Sequence, residues 1–203
     1  MKISSNSRDA LIIVDVQNDF LPGGSLAVSE GDEIIPLLNR YIAYFRANKL
    51  PIFATCDWHP SNHCSFQQQG GLWPPHCIAE SEGAAFNTHL KLPADTYIIS
   101  KATTPEKDAY SGFSDTPLHM LLQLFGIRRV FIGGIATEYC VSNTVKDAVR
   151  LHYITFLLVD AICAMNKQPQ DSLRAIEEMT RLGAIPMHYE TLPYESAIQP
   201  VIN

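Results

Sequence analysis

The feature that most constrains this chain is a regular alternation of short, β-branched apolar runs with longer amphipathic stretches. Such an alternation is typical of a parallel sheet, because each strand returns through a helix that covers one face. We predict six strands, at residues 10–16, 51–57, 96–101, 129–132, 154–160 and 185–187, and four helices, at residues 34–48, 118–125, 138–151 and 171–182. The sequence therefore predicts an α/β fold built on a parallel sheet.

Composition excludes several classes of function. The 203 residues include 15 Lys and Arg against 21 Asp and Glu, for a formal net charge of −6. This acidic balance, without a basic cluster, argues against nucleic acid or an anionic membrane as the main partner. The apolar runs are far shorter than the roughly 20 residues that cross a bilayer. Residues 1–8 are polar, unlike a secretion signal, and no linker divides the chain. We expect one cytoplasmic domain over residues 1–203.

Chemically reactive side chains follow several of the predicted strands. In an open α/β sheet, ligands bind beyond the carboxyl ends of the strands. The first strand leads to Asp15, the second ends in Asp57, the third ends in Lys101, and the fourth leads through a glycine-bearing turn to Cys140. We therefore expect an acid, a metal-type ligand, a base and a thiol to meet at one edge of the sheet.

Cys140 is predicted to lie in the first turn of a helix. A helix N-terminus lowers the pKa of a thiol and offers N–H groups to an oxyanion. The alternative is a small buried apolar side chain, which position alone does not exclude. Asp15 and Lys101 also have ordinary alternatives, as a loop-fixing carboxylate and a solvated lysine. Beside a thiol, however, a carboxylate can accept the thiol proton while an ammonium favours the ionised forms of both.

Residues 58–95 form a long connection with little periodicity, and such a connection usually has a functional reason. This connection and the preceding strand end supply four candidate metal ligands, Asp57, His59, His63 and His76. Carboxylate and imidazole groups suit zinc, iron or manganese. Solvated loop histidines are the ordinary alternative. Cys64 and Cys77, beside two of the histidines, also leave a structural Cys/His zinc site open.

Several sequence blocks, in this order, resemble the nicotinamidase/pyrazinamidase family within the isochorismatase-like superfamily of cysteine hydrolases. The blocks are VDVQNDF at residues 14–20, GGSLAV at 23–28, DWHP at 57–60, WPPHC at 73–77, Lys101, and GIATEYCV at 134–141. The similarity extends from about residue 10 to residue 165, and it includes the strand ends described above. Matching blocks in the same order are more specific than any one motif.

The resemblance implies a three-layer, Rossmann-like sheet of six parallel strands with helices on both faces. It also implies metal-dependent hydrolysis of nicotinamide to nicotinic acid and ammonia through a thioester, in NAD salvage, with pyrazinamide as a further substrate. The implied cofactor is one divalent metal ion that orients the ring, with zinc ranked before iron or manganese.

The resemblance further implies the role of each site residue. Cys140, Asp15 and Lys101 form a catalytic triad, and the N–H groups of Ala136 and Cys140 form the oxyanion hole, with a cis peptide bond before Ala136. The implied metal ligands are Asp57, His59 and His76, with His63 matching a fourth ligand of some members. The ring pocket is formed by four aromatic residues, Phe20, Trp73, Tyr110 and Tyr139.

Other functions remain as alternatives. Isochorismatases, N-carbamoyl amide hydrolases and ureidoacrylate-type amidases share the triad, but they generally lack the full Asp-x-His and Trp-Pro-Pro-His arrangement. A non-catalytic binding protein on the same fold is less favoured, because all three triad positions are intact. A redox sensor at Cys140 needs a resolving cysteine such as Cys56 or Cys163. Five scattered cysteines favour reduced thiols. The sequence leaves a homo-oligomer open.

Overall fold

The structure, a computed structural model, describes residues 8–192 of the chain. Within them, one sheet has the strand order β3-β2-β1-β4-β5-β6, with all neighbouring strands parallel. The strands are β1 (Asp9–Val14), β2 (Ile52–Asp57), β3 (Tyr97–Lys101), β4 (Arg129–Ile135), β5 (Ile154–Cys163) and β6 (Ile185–Met187). The helices are α1 (Ile35–Ala47), α2 (Leu118–Leu124), α3 (Ser142–Arg150) and α4 (Asp171–Arg181). The predicted α/β fold is confirmed.

Two apolar cores lie on opposite faces of the sheet. β1 is buried along its whole length, and its side chains alternate between the two faces. Leu11 and Ile13 belong to the core that includes α1, whereas Ile12 and Val14 belong to the core that includes residues of α2, α3 and α4. A central strand that is apolar throughout is what a sheet covered on both faces requires. The three-layer prediction is therefore confirmed.

Several element boundaries differ from the predictions. β1 ends at Val14 rather than at residue 16, because Asp15 has a left-handed backbone with a φ of 51°. β4 continues to Ile135 and β5 to Cys163, and a register shift at residues 132–134 lets the two strands remain paired. The helix predicted at residues 138–151 begins as a π-helical turn, Thr137–Val141, before α3.

Residues 1–7 and 193–203 lie outside the described part, so a single domain over the whole chain stays a prediction. Every helix in the described part is too short or too polar to cross a membrane.

Candidate active site

The strand order places the candidate site between β1 and β4. The chain reverses its direction of travel across the sheet at this pair, and such a reversal opens a crevice beyond the strand ends. Asp15 follows β1 directly, while Asp57 and Lys101 end β2 and β3 and are cross-strand partners. The register of the parallel strands therefore brings together groups that are far apart in sequence, as the sequence predicted.

Lys101 is the centre of the buried charge cluster. Its Nζ lies 2.9 Å from Asp15 Oδ2, forms an ion pair with Asp57 and donates to the Ala109 carbonyl oxygen at 3.2 Å. The same Nζ lies 3.5 Å from Cys140 Sγ. A buried ammonium needs compensating charge, and the two carboxylates provide it. The three predicted triad residues thus share one solvent-excluded cluster.

Asp15 is held beside the thiol by its own contacts. Thr55 Oγ1 donates to Asp15 Oδ1 at 2.6 Å. One ligand atom from each of Asp15, Asp57 and Cys140 lies within 4.8 Å of the others. The Asp15 carboxylate and the Cys140 thiol are therefore neighbours in this cluster, and the Lys101 ammonium contacts both.

Burial controls the protonation of this cluster. Burial raises the pKa of the Asp15 carboxyl, although the Lys101 ammonium opposes the shift. Burial also raises the pKa of the Cys140 thiol well above its ordinary value, against the effect of Lys101. For Lys101, burial acts to lower the pKa, but Asp15 and Asp57 together raise it well above the ordinary range. A thiol in this environment keeps its proton, so it could act as a nucleophile only after a base had removed that proton.

This result corrects the expectation that a helix N-terminus would lower the pKa of Cys140. Cys140 lies in the π-helical turn that begins the predicted helix, but its side chain is almost fully buried. Removal of the anion from water outweighs the favourable dipole in such a place.

The turn between β4 and α3 shapes the backbone around Cys140. The peptide bond between Ile135 and Ala136 is cis, as the family resemblance predicted. Gly134 has a φ of 129°, and a Cβ there would lie 2.1 Å from the Val14 carbonyl oxygen. The N–H groups of Tyr139 and Val141 both donate to the Ala136 carbonyl oxygen, at 3.1 and 3.2 Å. This backbone conformation holds the Cys140 thiol at the edge of the sheet.

A second cluster, Asp57, His59 and His76, could hold a metal ion. One ligand atom from each lies within 4.8 Å of the others. The Nδ1 atoms of His59 and His76 lie 3.0 and 2.8 Å from the backbone carbonyl oxygens of His76 and Pro74. A carbonyl only accepts, so each Nδ1 carries the proton and each Nε2 keeps its lone pair. Burial lowers the pKa of His59 to about 3, which keeps this imidazole neutral. These residues fit a divalent transition metal ion.

His63 lies beside this cluster with its ring nitrogens engaged by other groups. Its Nδ1 lies 2.7 Å from Ser65 Oγ, and its Nε2 lies 3.1 Å from the Lys107 carbonyl oxygen. It shares a second group of close ligand atoms with His59 and the exposed Asp108. Its assignment as a direct ligand stays a prediction. The groups of close ligand atoms found among residues 8–192 include neither Cys64 nor Cys77, so the structural zinc alternative gains no support.

All four predicted aromatic residues line one cavity that also contains Asp57, His76, Ala136 and Cys140. Trp73 Nε1 donates to the Tyr110 hydroxyl oxygen at 2.9 Å, and the Trp73 and Tyr139 rings are 5.2 Å apart, edge to face. The Phe20 ring lies 5.5 Å from that of His76. Cys140 and two members of the possible metal cluster, Asp57 and His76, therefore line the same cavity, and aromatic rings form part of its wall. A wider groove along α1 contains none of the predicted site residues.

Sequence reasoning missed several contributors. Leu26 and Met165 line the same cavity, and Thr55 and the Ala109 carbonyl contact the charge cluster. Gln17 is fully buried, and its side-chain amide both donates to the Asp57 carbonyl and accepts from the Asp57 N–H, each at 2.8 Å. Its place in the VDVQNDF block is the signal that could have indicated this role.

Comparison with known proteins gives consistent matches. The model of the isochorismatase domain matches residues 9–191. The nicotinamidase of Escherichia coli is 38% identical over 196 residues, which cover 86% of this chain and 92% of that protein. The pyrazinamidase of Pyrococcus horikoshii in complex with zinc is 48% identical, with a TM-score of 0.86, and covers 90% of this chain and 99% of its own. PnC1 of L. infantum in complex with nicotinate is 36% identical, with a TM-score of 0.87, and covers 95% of this chain and 98% of its own.

Proposed function

We propose that this chain, which belongs to the isochorismatase family and is an amidohydrolase, hydrolyses nicotinamide to nicotinic acid and ammonia. One observation carries the proposal: Cys140, the metal-type side chains of Asp57 and His76, and the four aromatic residues line a single cavity. In nicotinamide the carboxamide is attached meta to the ring nitrogen, so the reactive carbon and the nitrogen point away from the ring in different directions. One molecule can therefore present its carboxamide carbon to a thiol and its ring nitrogen to a metal ion, while its ring contacts the aromatic side chains.

In the first half of the reaction, Asp15 accepts the Cys140 proton as Sγ bonds to the carboxamide carbon. The raised pKa of Asp15 makes it a stronger base than an exposed aspartate. Asp15 then returns the proton to the leaving nitrogen, the C–N bond breaks, and ammonia departs from a thioester. The Lys101 ammonium, close to both groups, balances the negative charge that moves between them.

In the second half, a water molecule attacks the thioester carbon while Asp15 accepts its proton. The C–S bond then breaks, nicotinic acid is released, and the proton returns to Cys140. In both halves the carbonyl oxygen becomes an oxyanion, which the backbone N–H groups of Ala136 and Cys140 stabilise. Both residues line the cavity, which supports this assignment.

Asp57, His59 and His76 would hold the metal ion, with His63 as a candidate fourth ligand after release from the Lys107 carbonyl. Zinc suits the two imidazoles and one carboxylate, and iron or manganese suits them also. When bound, a divalent ion with an open coordination position supplies a Lewis acid for the ring nitrogen. Phe20, Trp73, Tyr110 and Tyr139 exclude water from the ring and limit its orientation. Pyrazinamide has nearly the same shape as nicotinamide, so we propose it as a further substrate.

The test is ammonia release from purified, reduced protein given nicotinamide, before chelation, after chelation and after zinc is restored. We expect release that falls on chelation and returns with the ion. No release from folded, zinc-loaded protein would contradict the proposed substrate, and full activity after complete metal removal would contradict the metal's role.

A further inference from the structure

Asp19 belongs to none of the groups assigned above, yet its carboxylate joins two loops around the site. Its Oδ1 accepts from the Ser25 N–H at 3.1 Å, and its Oδ2 accepts from the Cys77 N–H at 2.7 Å. Ser25 lies on the same loop, but Cys77 is distant in sequence and directly follows His76. The carboxylate therefore reaches the backbone beside a candidate metal ligand.

The backbone at Cys77 needs such support. Its φ is 46°, in the left-handed region that a residue with a side chain rarely occupies. The Cys77 carbonyl oxygen accepts from the His59 N–H at 2.9 Å, while its N–H is bound by Asp19. The His76 carbonyl oxygen lies 3.0 Å from His59 Nδ1. The segment that carries His76 is therefore fixed from one side by His59 and from the other by Asp19.

Gly83 completes the enclosure of the carboxylate. The Asp19 N–H donates to the Gly83 carbonyl oxygen at 3.0 Å. A Cβ at residue 83 would lie 2.1 Å from Asp19 Oδ2, so only glycine leaves room for the carboxylate in this position. Two different positions in the chain can thus be used to disturb the same bond to Cys77.

We infer that Asp19 is a positioning residue that sets the His76 imidazole for metal binding by holding the Cys77 N–H. This inference rests on the proposed metal site. The neighbouring Phe20 ring contacts His76 within the cavity, so one short segment after β1 supports the imidazole through both its backbone and its ring.

The test is a Co²⁺ titration of metal-free protein, followed by visible absorption, for the wild type, Asp19→Asn and Gly83→Ala. The amide retains the shape of Asp19 but has one acceptor oxygen for two N–H donors. We expect both variants to bind Co²⁺ about 10- to 100-fold more weakly and to show an altered absorption band. Asp32→Asn, a change at an exposed acidic residue, is the matched control and should leave both readouts unchanged.

Two further measurements separate positioning from stability. Thermal unfolding of the metal-free variants reports stability alone, and alkylation of Cys140, quantified by mass spectrometry, reports the state of the triad. Variants with a lower melting temperature but wild-type Co²⁺ affinity and spectrum would overturn the role of Asp19. A wild type that binds no Co²⁺, or a His76→Ala variant that binds it equally well, would instead overturn the proposed metal site.

Discussion

Three buried groups, Asp15, Lys101 and Cys140, determine what the site can do chemically. Lys101 remains protonated because two carboxylates surround it, so the mobile proton belongs to the thiol and Asp15. Burial raises the pKa of the thiol well above its ordinary value, so the thiol holds the proton at rest, whereas the Lys101 ammonium opposes the effect of burial on the Asp15 carboxylate. In the proposed mechanism, the nucleophile is therefore activated when its proton moves to Asp15.

Replacement of Cys140 by alanine removes the atom that attacks the carboxamide. We expect ammonia release to fall by at least about 10³-fold, since the loss of a nucleophile removes the covalent route altogether. The Asp15–Lys101 ion pair remains, so circular dichroism and bound metal should match the wild type. Cys64→Ala, at a half-buried cysteine outside the cavity, is the matched control and should keep its activity. Unchanged hydrolysis by Cys140→Ala would remove this residue from the mechanism.

The pH dependence of kcat/KM should report Asp15. As a base it must be ionised, and its raised pKa means that protonation occurs at a higher pH than in an exposed aspartate. Activity should therefore be present above this pKa and decline as the pH falls through it, with a midpoint above the ordinary value of about 3.9. Assays with excess metal, and a return to neutral pH after acid exposure, control for metal loss and unfolding. A midpoint at or below the ordinary value would be inconsistent with this role.

At the scale of single elements, the turn after β4 leaves almost no space for a side chain. Gly134 combines a positive φ with close contact to Val14, so a side chain there is excluded on two grounds. Gly126, after α2, also has a positive φ, of 65°, but a Cβ there would meet nothing within 4 Å. The pair therefore separates the effect of backbone conformation from that of steric clash.

Gly134→Ala should lower the free energy of unfolding by at least about 3 kcal/mol, because the Cβ forces β1 and β4 apart. Gly126→Ala should lower the free energy of unfolding by only about 1 kcal/mol, because the alanine is strained by the left-handed backbone but clashes with nothing. Urea denaturation of the two variants measures the difference. Equal effects would show that the Val14 contact is accommodated by a small backbone shift.

The strands near the site differ in how much of their structure can be predicted from the sequence. Periodicity located every strand of the described sheet, because buried parallel strands are apolar runs with clear ends. It did not reveal that Asp15 turns out of β1 or that β4 extends to Ile135, since both depend on pairing between strands. The contacts of Thr55 and Asp19 were missed for the same reason: a hydrogen bond between distant residues leaves no local pattern.

At the scale of the whole molecule, the long connection between β2 and β3 is hydrogen-bonded to residues that follow β1. Gln17 binds the Asp57 backbone and also donates to the Ala84 carbonyl oxygen at 2.8 Å. Asp19 binds Cys77 in the same connection. Three of the candidate metal ligands, the histidines, lie in this segment, so ion binding and loop structure should support each other.

Removal of the metal ion should therefore lower the thermal stability of the protein. With a free ion concentration 1,000 times the dissociation constant, an ion that binds only the native state stabilises it by about 4 kcal/mol. For a chain of this length we expect the melting temperature to fall by roughly 10 °C on chelation. His76→Ala is the control, since its melting temperature should respond much less to chelator. Identical melting curves for loaded and stripped wild type would contradict the coupling.

Asp57 belongs to two groups of side chains: it forms an ion pair with Lys101, and it lies in the possible metal cluster with His59 and His76. An engineer who wished to convert this scaffold into a metal-free amidase could replace the two imidazoles, but would have to retain an anion at residue 57. Without it, the buried Lys101 would lose one of its two counter-charges and disturb the nucleophile.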